Sequence, residues 1–223
     1  MQTWNRFDTT AMAASEKSLK AQNIGWLWGV VVADILVLLA VAFPTLLGQT
    51  AIKEYAWVRT SAAAVAPVVV LLLTSLLSAD AKAVLVFWRI RDTLPGHRAF
   101  SVHALADPRI DIEALRKNVG AFPESPRDQN ALWYRLYTKV GGEVAVALTH
   151  RHFLLFRDLA TLSFLLAVLV PTILYFLDAA MTAIWSALAL FAIQYFATAI
   201  AARNNGVRMV TNVLSLHSSK RRP

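Results

Sequence analysis

The stretch Leu159–Leu177 reads LATLSFLLAVLVPTILYFL and holds no charged side chain. A single aspartate, Asp178, separates it from a second uncharged run, Ala179–Ala202. At about 1.5 Å per residue each run approaches or exceeds the ~30 Å of a bilayer core, so the pair reads as a tight transmembrane hairpin. The pattern occurs once more, earlier in the chain. Ile24–Leu47 is apolar except for Asp34; after the short loop 48–59, Thr60–Leu77 is apolar again, with Pro67 inside it where a kink is expected. The expected fold class is an all-α integral membrane protein: four transmembrane helices in two hairpins, with a small helical cytoplasmic insert between them. The boundaries are a cytoplasmic amphipathic N-terminal segment (1–23), the first hairpin (24–77), a stalk and helical insert (78–158), the second hairpin (159–202) and a basic cytoplasmic tail (203–223).

Composition agrees with this layout. Hydrophobic residues make up 57% of the 223 positions and fall in blocks, not in the periodic spread of a soluble domain. The absence of cysteine excludes disulfides, thiolate nucleophiles and Cys-ligated metals. A net charge of +8 in a soluble chain would suggest nucleic acid. Here the bilayer is the expected partner and no nucleic acid is, because 20 of the 22 Lys and Arg lie in the N-terminal segment, the insert and the tail. Only Lys53 and Arg59 fall on the other side, so the positive-inside rule places both termini and the insert in the cytoplasm. Abundant Ala, and Arg in excess of Lys, point to a GC-rich bacterial genome, and with the apolar spans the expected location is a bacterial inner membrane. No cleavable leader is expected, since the first 23 residues are polar and the first apolar run is too long for a signal segment.

Two matching sites bear on internal symmetry. Phe43-Pro44-Thr45 and Val170-Pro171-Thr172 each lie toward the outer end of the first helix of a hairpin. Either the hairpins are a two-fold repeat about an axis along the membrane normal, or Pro-Thr is a coincidental match.

The insert carries its own punctuation. Ser78 to Arg91 reads as the second helix leaving the bilayer as an amphipathic stalk, ended by Leu94-Pro95-Gly96. Asp107-Pro108 offers an N-cap and first-turn proline for a helix with Ile112, Leu115 and Val119 on one face and Gly120 as its stop. Ser125-Pro126-Arg127-Asp128 is a capping-box variant ahead of Leu132, Trp133, Leu136, Tyr137 and Val140, with a break at Gly141-Gly142. From Glu143 a further helix is expected to run unbroken into the third span. About 65 residues make too small a layer for a large core of its own, so it should pack on the stalks, the membrane face or a neighbouring subunit. In the tail, Val207, Val210, Val213 and Leu214 suit a turn or two lying along the membrane.

Asp34 is the sharpest chemical signal, roughly 15 Å into the first span, where an ionisable group is costly and marks function by default. Gln194 lies at comparable depth in the fourth. Together they could line an ion or proton route, or form a structural hydrogen bond between helices; the second reading is the commoner one. Gly25, Gly29 and Ala33 form a small-residue stripe suited to close helix packing. In the insert, Arg109, Arg116, Lys117, Arg127 and Arg135, with Trp133 nearby in sequence, could contact a cytoplasmic protein or a small phosphate-bearing ligand. The commoner reading of such a set is a solvated basic face over anionic lipid. Arg157-Asp158 reads as a juxtamembrane ion pair. His150 and His152 are two apart, on different helix faces, and no metal-ligand spacing occurs. With no phosphate loop, dinucleotide fingerprint or nucleophile elbow, neither catalytic residues nor a cofactor are expected.

Three functional readings follow. The first is a homo-oligomeric membrane effector or channel-like protein controlled through its insert. The second is a membrane anchor or assembly subunit that recruits a cytoplasmic partner; the third is a small oligomeric transporter. The layout is similar, in topology alone, to four-helix membrane effectors of bacterial anti-phage defence systems; no family motif is matched.

Overall fold

Two long antiparallel helices organise the chain. A computed structural model describes residues 23, 25–27, 29–30, 32–34, 75–176 and 178–219; among these there are helices and turns and no strand. Helix α1 spans Ala79–Phe87, α2 Ile112–Val119, α3 Pro126–Val140, α4 Val144–Phe176 and α5 Met181–Ser219. Helical turns of 3-10 (Pro95–Arg98), π (Ala99–His103) and α (Ala104–Ala106) geometry join α1 to α2. A helical segment, Gly25–Asp34, lies against the hairpin near the N-terminus.

Helix α4 has 33 residues and α5 has 39, hence about 50 and 58 Å of helix. The turn between them is tight: Asp178 adopts φ 51°, its N–H donates to Tyr175 O (3.2 Å), and Ala179 N–H donates to Leu174 O (3.0 Å). Pro171 sits inside α4 without ending it. Both helices are long and apolar enough to cross a membrane, and their most apolar 18-residue windows are only 33% and 22% buried. Trp185, Ile193, Phe196, Val168 and Ile173 are among the large side chains left bare there. A core helix of a soluble protein hides such residues; here the apolar halves expose them.

The polar halves behave oppositely. Helix α5 continues through Arg203, Asn204, Asn205 and Gly206 without a break, and Met209, Val210, Val213 and Leu214 are buried. They pack with Phe100, Ile110, Leu115, Trp133, Leu136, Tyr137, Val140 and Val146 in one cluster. This corrects the expectation that the valines of the tail lie along the membrane. Their helical spacing is the same in either case, but the insert supplies a protein surface to bury them. His217 Nε2 donates to Leu136 O at 3.0 Å and Asn118 Nδ2 to His217 O at 2.9 Å, which fastens the end of α5 to α2 and α3.

The insert follows its capping logic in part. Ser125 caps α3, accepting from Asp128 N–H (3.1 Å) with Pro126 in the first turn. Gly120 ends α2 at φ 92°. The N-cap of α2, however, is Asp111, which accepts from Ala114 N–H (2.9 Å), not Asp107. Asp107 instead takes Arg109 Nε (3.0 Å) and a terminal guanidinium nitrogen (2.7 Å). The stalk also differs from the expected continuous helix. Ser78 is extended and caps a fresh helix, and α1 stops at Trp88, in the left-handed region at φ 52°, well before Pro95. A bulky side chain there is strained. Contacts from α5 hold it: Trp88 Nε1 donates to Tyr195 Oη (3.1 Å), and its ring meets Phe196 edge-on.

Residues 35–74 lie outside the described residues, and with them the rest of the first expected hairpin and the Pro44-Thr45 half of the repeat comparison. The segment 1–22 lies outside them too.

Candidate functional site

Asp34 and Gln194, 160 residues apart, meet. Gln194 Nε2 donates to both carboxylate oxygens of Asp34 at 3.2 Å. Asp34 is buried, and Gln194 Oε1 is buried with no hydrogen-bond partner among the described residues. The segment that brings Asp34 there packs through Leu27, with Val30 beside it, against Leu159 and Leu162. At its start Asn23 Nδ2 donates to Arg151 O at 3.0 Å. Asn23, Leu27, Val30 and Asp34 share one helical face by their spacing. Gly25, Gly29 and Ala33 are on the exposed side, and a Cβ added at Gly25 or Gly29 would meet nothing within 4 Å. Within one chain, then, that stripe packs on no described neighbour.

A buried charge cluster pins α1 to α4. Lys82 Nζ donates to Asp158 Oδ1 at 3.0 Å, and the Arg157 guanidinium reaches the same oxygen at 3.4 Å. All three residues are buried, and Arg157 also lies over the Phe153 ring at 5.6 Å. Two cations share one carboxylate, leaving a formal excess of one positive charge.

Of the three, Arg157 lines a cavity of about 320 Å³. Its walls come from α1 (Asp80, Ala83), the Pro95-Gly96 turn, α3 (Asn130, Trp133, Tyr134, Tyr137), α4 (His150, Phe153, Arg157) and Met209 of α5. Trp133 Nε1 is buried without a hydrogen-bond partner among the described residues. Tyr137 stacks on Trp133 with ring centres 5.6 Å apart, and its hydroxyl is 2.8 Å from His150 Nδ1. Gly96 lies tight against this wall: a Cβ there would displace the Asn130 side chain and press on Trp133. An aromatic slot with a spare donor, and with the Arg157 guanidinium as well as the Asp80 carboxylate in its walls, suits a small flat molecule whose anionic group meets Arg157.

Of the ligand-contact residues expected from sequence, Trp133 lines this cavity and the cations do not. Arg109 is a latch: beyond Asp107 it donates to Thr211 Oγ1 (3.1 Å) and Asn212 Oδ1 (3.2 Å) on α5. The hydrogen bond from Arg109 holds the Asp107 carboxyl well below the usual carboxylate range, and the same bond raises the arginine. Arg116 lies over Phe122 at 5.2 Å. Lys117, Arg127 and Arg135 are exposed on α2 and α3. Sequence reasoning missed Lys82, Asn130 and His150 as members of one site. The available signal was Lys82 itself, a lone ammonium ahead of Ala83-Val84-Leu85-Val86-Phe87. Among the described residues no group of three or more His, Asp or Glu is placed to hold a metal ion.

No family model, curated protein or solved structure matches the chain.

Proposed function

We propose that the chain is a non-enzymatic, oligomeric protein of the bacterial inner membrane, in which a cytoplasmic helical piece controls the membrane hairpins in the manner of an effector or channel-like protein. The observation that carries this reading is the continuity of α4 and α5. Each is one helix whose apolar half is bare and whose polar half builds the walls or core around the aromatic cavity. A ligand seated against Trp133 and Arg157 therefore bears on the same rigid rods that cross the bilayer. The Lys82–Asp158 pair is the stiff joint between the two regions. The ligand in this reading is small, flat and anionic, a phosphate-bearing molecule being the simplest case.

The experiment is induced expression with a membrane-potential dye. Wild type is expected to depolarise cells; Gly96→Val, which crowds the cavity, and Asp34→Asn are expected to change the response. An unchanged potential in all three at equal membrane levels rejects the effector reading. The exposed cations Arg116, Lys117, Arg127 and Arg135, none of them in the cavity walls, favour a second reading, an anchor that recruits an acidic cytoplasmic protein. An intact potential together with a stoichiometric soluble partner lost in Arg127→Glu/Arg135→Glu supports that alternative.

A further inference from the structure

Where the uncharged run of α5 ends, three arginines converge with no counter-charge among the described residues. Arg203 is the first charged residue after Ala202, and its guanidinium lies 5.8 Å from the centre of the Trp88 ring. Arg89 follows Trp88 directly and is exposed. Arg98, on the 3-10 turn, is disfavoured as a cation first by burial and then by the charges of both neighbours, and its Nε is buried with no hydrogen-bond partner among the described residues. Among the described residues no carboxylate pairs with any of the three. His103 lies beside them, its Nε2 likewise buried and without a partner among the described residues. Burial first, and then the Arg98 charge, push this imidazole down to about 4, so it is neutral near pH 7.

Gathering like charges around an unsatisfied guanidinium nitrogen is unfavourable unless an anion occupies the centre. The level of the cluster identifies the anion. Trp88 and Tyr195 hydrogen-bond to each other through their polar tips and pack with Phe196, the amphipathic aromatic arrangement found at headgroup depth. Ile90, 89% exposed between Arg89 and Arg91, is a bare apolar anchor at the same level. We propose that Arg89, Arg98 and Arg203 hold the phosphate of an anionic phospholipid headgroup, with Trp88 and Ile90 against its glycerol and upper acyl region. Guanidinium forks suit phosphate oxygens, and the tether would fix the height of the α1–α5 contact in the bilayer. This rests on the reading that the apolar halves of α4 and α5 cross a membrane.

The test begins with alkaline carbonate extraction of membranes carrying the full chain; release of the protein overturns both readings. For integrated protein, melting is followed in detergent with added phosphatidylglycerol, phosphatidylcholine or soluble glycerol phosphate. Phosphatidylglycerol at a hundredfold excess over its dissociation constant is expected to raise Tm by about 6 °C, and the other two to raise it by little. Arg203→Gln and Arg89→Gln, both exposed and therefore foldable, are each expected to remove at least half of that shift while leaving Tm in phosphatidylcholine unchanged; Arg98→Gln is expected to abolish it. Equal shifts with both lipids, or a full shift retained in Arg203→Gln and Arg89→Gln, overturn the site while leaving the membrane reading intact. An equal shift with glycerol phosphate overturns the lipid assignment in favour of a soluble anion.

Discussion

Lys82 Nζ lies 3.0 Å from Asp158 Oδ1, with both side chains nearly excluded from solvent and the two residues 76 positions apart in the chain. The carboxylate also serves Arg157, so the three residues respond unequally to loss of one partner. Asp158→Asn leaves two buried cations facing each other and is expected to cost about 3–5 kcal/mol. Lys82→Met leaves Asp158 with Arg157 and keeps an apolar stem of similar length; a loss near 1 kcal/mol is expected. Thermal melts in detergent measure both, and the reverse order would refute the shared-carboxylate account.

The Asp34–Gln194 contact carries a similar asymmetry. Asp34→Asn keeps a group that accepts from Gln194 Nε2 and can also donate to its unpartnered Oε1, so stability is expected to hold or rise slightly. Gln194→Leu strands the carboxylate and is expected to cost about 1–3 kcal/mol. A Gln194→Leu variant as stable as wild type would show that Asp34 is satisfied by something other than this amide.

Glycines divide by surroundings. A Cβ at Gly206 would come within 2.9 Å of Phe87 Cζ and 3.2 Å of Phe153 Cδ2. Gly206→Ala is expected to push α1 away from the hairpin and lose about 1–2 kcal/mol despite a better helix former. Gly29→Ala has open space and is expected to be neutral or stabilising in the monomer. Both are read by unfolding; a loss at Gly29 confined to an oligomer would mean that a second copy covers the stripe.

His103 sets a pH window. Its folded value, about 4, lies below the ordinary 6.5, so the unfolded chain takes up the proton first as pH falls. Stability is therefore fully present above pH 6.5 and is expected to decline as pH drops toward 4. Asp107, held low by Arg109, adds a separate loss below its ordinary value of 3.8. Melts at pH 7 and pH 5 are expected to differ in wild type and to converge in His103→Gln. Persistence of the full difference in that variant would assign the window to another group.

The parts legible in sequence were those written in local pattern. Uncharged length marked the two long helices, Asp178 their turn, and Ser125-Pro126 with Asp128 the start of α3. Residue counting along two helices set Asp34 and Gln194 at comparable depth, and their side chains are hydrogen-bonded in the structure. What escaped was pairing between distant elements. The Val207–Leu214 spacing describes one apolar face but not what covers it, so a lipid surface and the insert read alike. Asn204-Asn205-Gly206 resembles a stop signal, yet the Phe87 and Phe153 rings need that glycine inside a continuous helix. The Asp107-Pro108 cap failed because Arg109, two residues on, competes for the same carboxylate. The basic residues of the insert looked like one patch in sequence; the fold distributes them over a latch, a ring contact and two exposed faces.

The far end of α5 fills a cluster whose other members all precede it in the chain. Met209, Val210, Val213 and Leu214 thus leave the ribosome last among the residues they bury. Until they emerge, Phe100, Leu115 and Trp133 have no lid, and the nascent insert depends on chaperones or on speed to avoid aggregation. Shortening the chain to residue 208 is expected to spare delivery of the apolar hairpin and yet yield a protein degraded on arrival.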